Sequence, residues 1–240
     1  PSHSNRMVRT SSLTIIAWLL LSATSGAQDF EKGLAAARTG DYATALKEWR
    51  PLGQKGDAPA QYHIGLMHRH GRGVRRNYAT AAEWFGKAAA QGLGAAQYEL
   101  GRLHLTGHGV PRDDTKALKL FRDAAAQDSA AARNNIAFMY RYGRAVPRSY
   151  ARAIIWYRKA AAEGYSPAHD SLGSLYQNGT GVLRDFVQAH KWFSLATAFG
   201  STKGQRHRKY VQKKMTFVQV DEARSLAREW MAEFRKRKNK

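Results

Sequence analysis

The sequence predicts an all-α protein built from repeated antiparallel helix pairs. Three observations lead there: a 36-residue period without a slip, apolar residues at helical spacing inside each period, and glycines at fixed places between them. In columns 36 apart, Ala60, Ala96, Ala132 and Ala168 align, as do Ile64, Leu100, Ile136 and Leu172, and then Gly65, Gly101, Ala137 and Gly173. The turn columns follow: Gly71, Gly107, Gly143 and Gly179; Gly73, Gly109, Ala145 and Gly181; Val74, Val110, Val146 and Val182. Ala81, Ala117, Ala153 and Ala189 open the second half of the unit, Trp84, Leu120, Trp156 and Trp192 fill it beside Phe85, Phe121, Tyr157 and Phe193, and Ala88, Ala124, Ala160 and Ala196 close it.

Taken in order, the chain opens on an upstream extension and a segment of secretory character over residues 1–27. Arg9 gives a basic start, Leu13 to Leu21 is apolar, and Ser25-Gly26-Ala27 fits a small-x-small cleavage site. A membrane span needs about 20 apolar residues and this run has roughly half of that, so a cleaved signal peptide is expected, with the mature chain starting near Gln28. An exported chain with no cysteine suits a bacterial periplasm or the extracellular space, because small secreted eukaryotic domains lean on disulfides.

Residues 28–57 form an incomplete unit. A helix is expected around Phe30 to Arg38, followed by Tyr42, Ala45, Trp49 and Gly56 in the columns of Tyr78, Ala81, Phe85 and Gly92. Four full units then cover 58–93, 94–129, 130–165 and 166–201. In each, a first helix of about three turns, Pro59 to about His70 in the first copy, stops at a glycine that enters left-handed conformations freely. The second helix starts from about Asn77, where Asn77, Asp113 or Asp114, Ser149 and Asp185 can accept from free N-terminal N–H groups. Ala81, Trp84, Phe85 and Ala88 fall on one face of that helix. Glycine inside the first helix, Gly65 and its equivalents, implies a partner helix too close for a Cβ. Over 202–240 the repeat fades into a basic region. Thr216 and Gln219 form a capping box, and Val220, Ala223, Ala227, Trp230, Met231 and Phe234 line one face of a helix expected to cap the stack.

The pattern Ala-x-x-x-Ile-Gly, Gly-x-Gly-Val and Ala-x-x-Trp-Phe-x-x-Ala-Ala resembles the Sel-one-like repeat (SLR) family, a cousin of the tetratricopeptide repeat, over four copies from 58 to 201. The resemblance implies a right-handed α-α superhelix, a solenoid of antiparallel helix pairs whose concave surface holds an extended peptide. Copy three departs from it at Ala137 and Ala145, and copy two at Leu120 and Asp128.

Composition narrows the chemistry. The 240 residues carry 39 Lys+Arg against 18 Asp+Glu, a formal net charge of +21, and 43% are hydrophobic, enough for a packed core. With no cysteine, thiolate catalysis, thiolate zinc and disulfides drop out. Gly-x-Ser-x-Gly, Ser-x-x-Lys, His-Glu-x-x-His and a phosphate loop are all missing from the sequence; Gly200-Ser201-Thr202-Lys203 lacks the upstream glycine. No enzyme, cofactor or metal site is expected. His104 and His108 are i, i+4 neighbours, but His68 and His104 share a column with Tyr140 and Tyr176, so histidine reads there as a substitute for a half-buried tyrosine.

Two sets of residues are candidates for binding. Arg69, Arg102, Arg133, Asn134, Asn135 and Arg141 lie on the first helices, where they could clasp carboxylates in the groove. Arg76, Arg112, Arg148 and Arg184 occupy one turn column and form a basic edge stripe. The partner expected is an acidic protein or peptide, with charge-driven binding of anionic envelope polymers or nucleic acid as the alternative. Nucleic acid has the weaker support of the two polymers, because the aromatics fall in packing columns and offer no stacking platform.

Overall fold

A computed structural model describes residues 26–239, and the expected signal segment lies almost wholly outside them. Regular structure among the described residues is helical throughout. The chain divides into two compact units, one ending at Pro111 and the other beginning at Arg112. The first contains α1 (26–38), α2 (Tyr42–Gln54), α3 (Ala58–His70), α4 (Tyr78–Ala90) and α5 (Gly94–Thr106). The second contains α6 (Asp114–Ala126), α7 (Ala130–Tyr142), α8 (Tyr150–Ala161), α9 (Ser166–Asn178), α10 (Phe186–Ala198), α11 (Thr202–Gln212) and α12 (Phe217–Lys238).

From α2 to α5 and from α6 to α11, helices adjacent in sequence pack on one another, and their boundaries follow from side-chain chemistry. Asn77, Asp113, Ser149 and Asp185 cap α4, α6, α8 and α10 by accepting from N–H groups of the first turn. Asp57, Ser129 and Ser201 do the same for α3, α7 and α11. Each such cap is worth about 1 kcal/mol. At the other end, Gly71, Gly107, Gly143 and Gly179 take φ between 67° and 73°, and each N–H returns to the carbonyl four residues back. Only glycine does this without a Cβ penalty.

The close approach expected at Gly65 is present. A Cβ there would lie 2.6 Å from the Phe85 ring, and one at Gly173 would lie 2.6 Å from Phe193. Those rings are fully buried, so the glycine is what seats the aromatic of the second helix against the first. The second loop glycine has a separate role. A Cβ at Gly109 would strike the Tyr78 carbonyl carbon at 2.3 Å, and one at Gly181 the Tyr150 Cβ at 2.1 Å. The loop of one pair therefore sits on the first residue of the preceding second helix. In copy three Ala145 fills this position and carries φ of 58°.

The core of the first unit gathers Leu46, Trp49, Ile64 and Met67, with Phe30 and Leu34 of α1 packed against it. Trp49 also donates its indole N–H to the Phe30 carbonyl at 3.2 Å. In the second unit α10 is central and packs on α9, α11 and α12. The capping box of α12 forms as expected from Thr216 and Gln219, and Val220, Ala223 and Ala227 are buried.

Residues 202–212 were expected only as basic chain, yet they form α11, capped by Ser201. Its buried residues, Gly204 and Val211, continue the columns of Ala168 and Leu175. Helices α11 and α12 both pack on α10. No helix among the described residues is long and apolar enough to cross a membrane.

Candidate functional site

In the first unit, Arg69 and Arg102 converge on one carboxylate. Arg69 at the end of α3 donates to Glu99 of α5, whose side chain is only 10% exposed, and Arg102 stands 3.6 Å from the same carboxylate. Arg102 also lies over the Tyr98 ring at 5.8 Å. Burial, with the Glu99 charge behind it, pushes the Tyr62 hydroxyl above its ordinary value. Two guanidinium groups on one carboxylate leave an excess positive charge beside Tyr62 and Tyr98, fixed in place by the pairing.

The α7 candidates separate. Arg133 turns back to the end of α6, donating to the Ala125 carbonyl at 3.3 Å and to the exposed Asp128 carboxylate. Asn134 has its Oδ1 buried with no hydrogen-bond partner among the described residues, and Asn135 is half-buried. Arg141 covers the Tyr142 ring at 5.2 Å, and its charge reaches the hydroxyl of Tyr157 on α8. Burial raises the pKa of that hydroxyl and Arg141 opposes the rise.

The turn arginines follow a rule. Arg76, Arg148 and Arg184 each stand 5.6 Å over the ring two residues on, Tyr78, Tyr150 and Phe186. In copy two that ring is replaced by Asp114, and Arg112 bonds it at 3.1 and 3.2 Å instead. Arg144, the residue between the turn positions of the next copy, bonds the same carboxylate at 2.8 Å. Hydrogen bonds from Arg144 and then Arg112 hold Asp114 well below the usual carboxylate range. Sequence reading missed this pair. The available signal was the spacing of 30 residues, the same as from Tyr42 to Arg72, which stack at 5.4 Å, and from Tyr78 to His108, at 5.1 Å.

The weighed histidines turn to separate partners. His104 Nδ1 is 3.3 Å from the Pro111 carbonyl and His108 Nδ1 is 2.7 Å from the Thr106 hydroxyl. Among the described residues no three metal-ligating side chains gather. Three shallow clefts carry the basic character. One of about 620 Å³ is lined by His68, Arg75, Arg76 and Tyr78. A second, of about 510 Å³, holds Arg122, Arg133, Trp156 and Lys159, and a third, of about 390 Å³, Lys203, Arg206, His207 and Tyr210.

The repeat register is also that of known proteins. Residues 58–93, 94–129, 130–165 and 166–198, more than half of the chain, match the family described as Sel1 repeat. The chain belongs to the Sel1 repeat family. Among solved structures, a Sel1 repeat protein from Oxalobacter formigenes is similar at 26% identity and a TM-score of 0.70, over 85% of this chain and 82% of that one. A protective antigen from uropathogenic Escherichia coli strains, displaying an SLR fold, is similar at 28% identity and a TM-score of 0.56; the match spans 91% of this chain but 56% of that longer one. An immunity protein from Pseudomonas aeruginosa, at 14% identity and a TM-score of 0.53 over 88% and 81% of the two chains, shares the fold. No curated protein matches the sequence. The fold class is thus the all-α helical-repeat superhelix. Sel1 repeats generally mediate protein–protein interaction, and their fold is typically a non-catalytic scaffold.

Proposed function

We propose that this Sel1 repeat chain is a non-enzymatic exported adaptor, periplasmic or secreted, that binds an acidic protein or peptide through cations on its first helices. The observation that carries the reading is where the carboxylates are spent. Against a net charge of +21, Asp41, Asp57, Asp113 and Asp185 cap helices, and Glu99 and Asp114 are each shared by two arginines. The other 12 of the 18 acids still fall far short of the 39 Lys+Arg, so the surface cations stay in excess and an acidic partner supplies the missing negative charge. Arg102 in the first unit and Arg141 in the second, each held over a tyrosine, are the first-helix cations best set to meet it; Arg69 shares Glu99 with Arg102, and Arg133, Asn134 and Asn135 lie on the same helix as Arg141.

An array of peptides graded in acidity, probed with the full chain at physiological salt, tests the proposal. Retention of particular acidic sequences, lost in the double variant Arg102→Ala/Arg141→Ala, is the expected result. Retention that tracks peptide charge alone and is the same in both proteins would point instead to charge-driven binding of anionic envelope polymers.

A further inference from the structure

We propose that the cleft lined by α6, the start of α7 and α8 seats a peptide segment in which one large apolar side chain is flanked by carboxylates. The inference rests on the reading of the chain as a binder of acidic partners, and it adds a second contact formed largely by second helices. The floor of this cleft of about 510 Å³ is apolar: Ala125 and Ala126 of α6, the Trp156 indole, and Ala162 just past α8. Its rim is cationic. Arg122 is exposed and has no carboxylate partner among the described residues. Lys159 stands 4.7 Å over the Trp156 ring. Arg133 is held to the Ala125 carbonyl and to Asp128. The single acid on the rim, Glu163, is already engaged by Lys238 at 2.7 Å, so it offers little repulsion to an incoming carboxylate.

Charge and shape select the occupant together. A purely anionic polymer would leave the alanine floor and the indole unpaired. An apolar side chain alone would displace water from the cationic rim without replacing its hydrogen bonds. A side chain such as phenylalanine covers the floor, and neighbouring carboxylates meet Arg122 and Lys159 through charge-assisted bonds. Trp and Arg are among the residue types that dominate interface energetics once a partner desolvates them. The volume admits one large side chain with parts of its neighbours.

The test is fluorescence anisotropy with the full chain and a labelled, end-blocked probe peptide, Glu-Glu-Phe-Glu-Gly. Arg122→Glu is expected to weaken binding about tenfold or more, a loss of about 1.4 kcal/mol, and Lys159→Glu to behave alike. Lys209→Glu, the same charge change on α11 outside the clefts, is expected to cost less than about twofold. Replacing Phe by Ser, or the three Glu by Gln, is expected to weaken the probe about tenfold. Equal losses from Arg122→Glu and Lys209→Glu, equal binding of the Ser peptide, or no saturable binding would overturn the proposal. Each variant is checked for unchanged helicity and melting. If acidic partners are lost in Arg102→Ala/Arg141→Ala and kept in Arg122→Glu, the adaptor reading stands and the cleft fails.

Discussion

Acid will loosen the C-terminal end of the protein through one histidine. His169 on α9 is fully buried. Its ring stacks on Phe199 at 5.1 Å and meets the Trp230 edge at 5.2 Å and Trp192 at 5.8 Å. Its Nδ1–H donates to the Tyr165 carbonyl at 3.1 Å, while Nε2 is buried without a partner among the described residues. A proton added at Nε2 finds no acceptor there, and burial lowers the pKa from 6.5 to about 4. Because the folded value is the lower one, the unfolded chain takes up the proton first. This contribution is fully present above about pH 6.5 and is lost progressively as pH falls towards 4. At about 1.4 kcal/mol per pH unit, the gap is worth about 3 kcal/mol. Urea unfolding followed by tryptophan fluorescence between pH 7.5 and 4 measures it, with His169→Phe removing the titration while keeping an aromatic in the box. The other histidines with lowered values, His63, His68, His70, His190 and His207, act in both proteins and cancel in the difference. Identical pH dependence in wild type and variant, or a proton NMR titration of His169 centred near 6.5, would refute the reasoning.

Three further outcomes are expected. Gly173→Ala drives a methyl to within 2.6 Å of the Phe193 ring and will cost about 1–3 kcal/mol despite alanine's better helix propensity; a melting temperature at or above wild type would contradict this. Ala145→Gly relieves a φ of 58° and will stabilise by about 1 kcal/mol, read as a higher urea midpoint. Asp114→Ala strands Arg112 and Arg144 and will cost about 1–2 kcal/mol; with its depressed pKa, Asp114 stabilises wild type above about pH 4 and that share fades below it, a fade the variant will lack.

Much of this architecture was legible because single residue types decide it. An oxygen-bearing side chain before a helix caps it, as Asn77, Asp113, Ser149 and Asp185 do. A glycine opposite an aromatic in three of the four copies marks a contact distance, as at Gly65 and Phe85. Helix α11 was not legible, since cations fill it and only Val211 keeps the apolar column. Pairing was harder still. Arg69 and Arg102 sit on successive first helices, but nothing local says that both will turn to Glu99. Arg133 shares α7 with Arg141, yet one reaches back to α6 and the other forward to α8, because their positions along the helix differ by more than two turns. The bond from Arg144 to Asp114 requires knowing that each loop lies on the preceding second helix, a tertiary fact that the glycine Cβ contacts at Gly109 and Gly181 display.

The adaptor proposal requires a defined acidic partner, and not anionic polymer at large, to meet the first-helix cations. The most direct test takes the tightest peptide from the array and measures its Kd against salt concentration, for wild type and for Arg102→Ala/Arg141→Ala, with a polyphosphate of equal charge in parallel. The account predicts one-to-one saturation, a shallow slope of log Kd on log salt for the peptide, and its loss in the variant. A steep slope shared by peptide and polyphosphate, with wild type and variant alike, would contradict it.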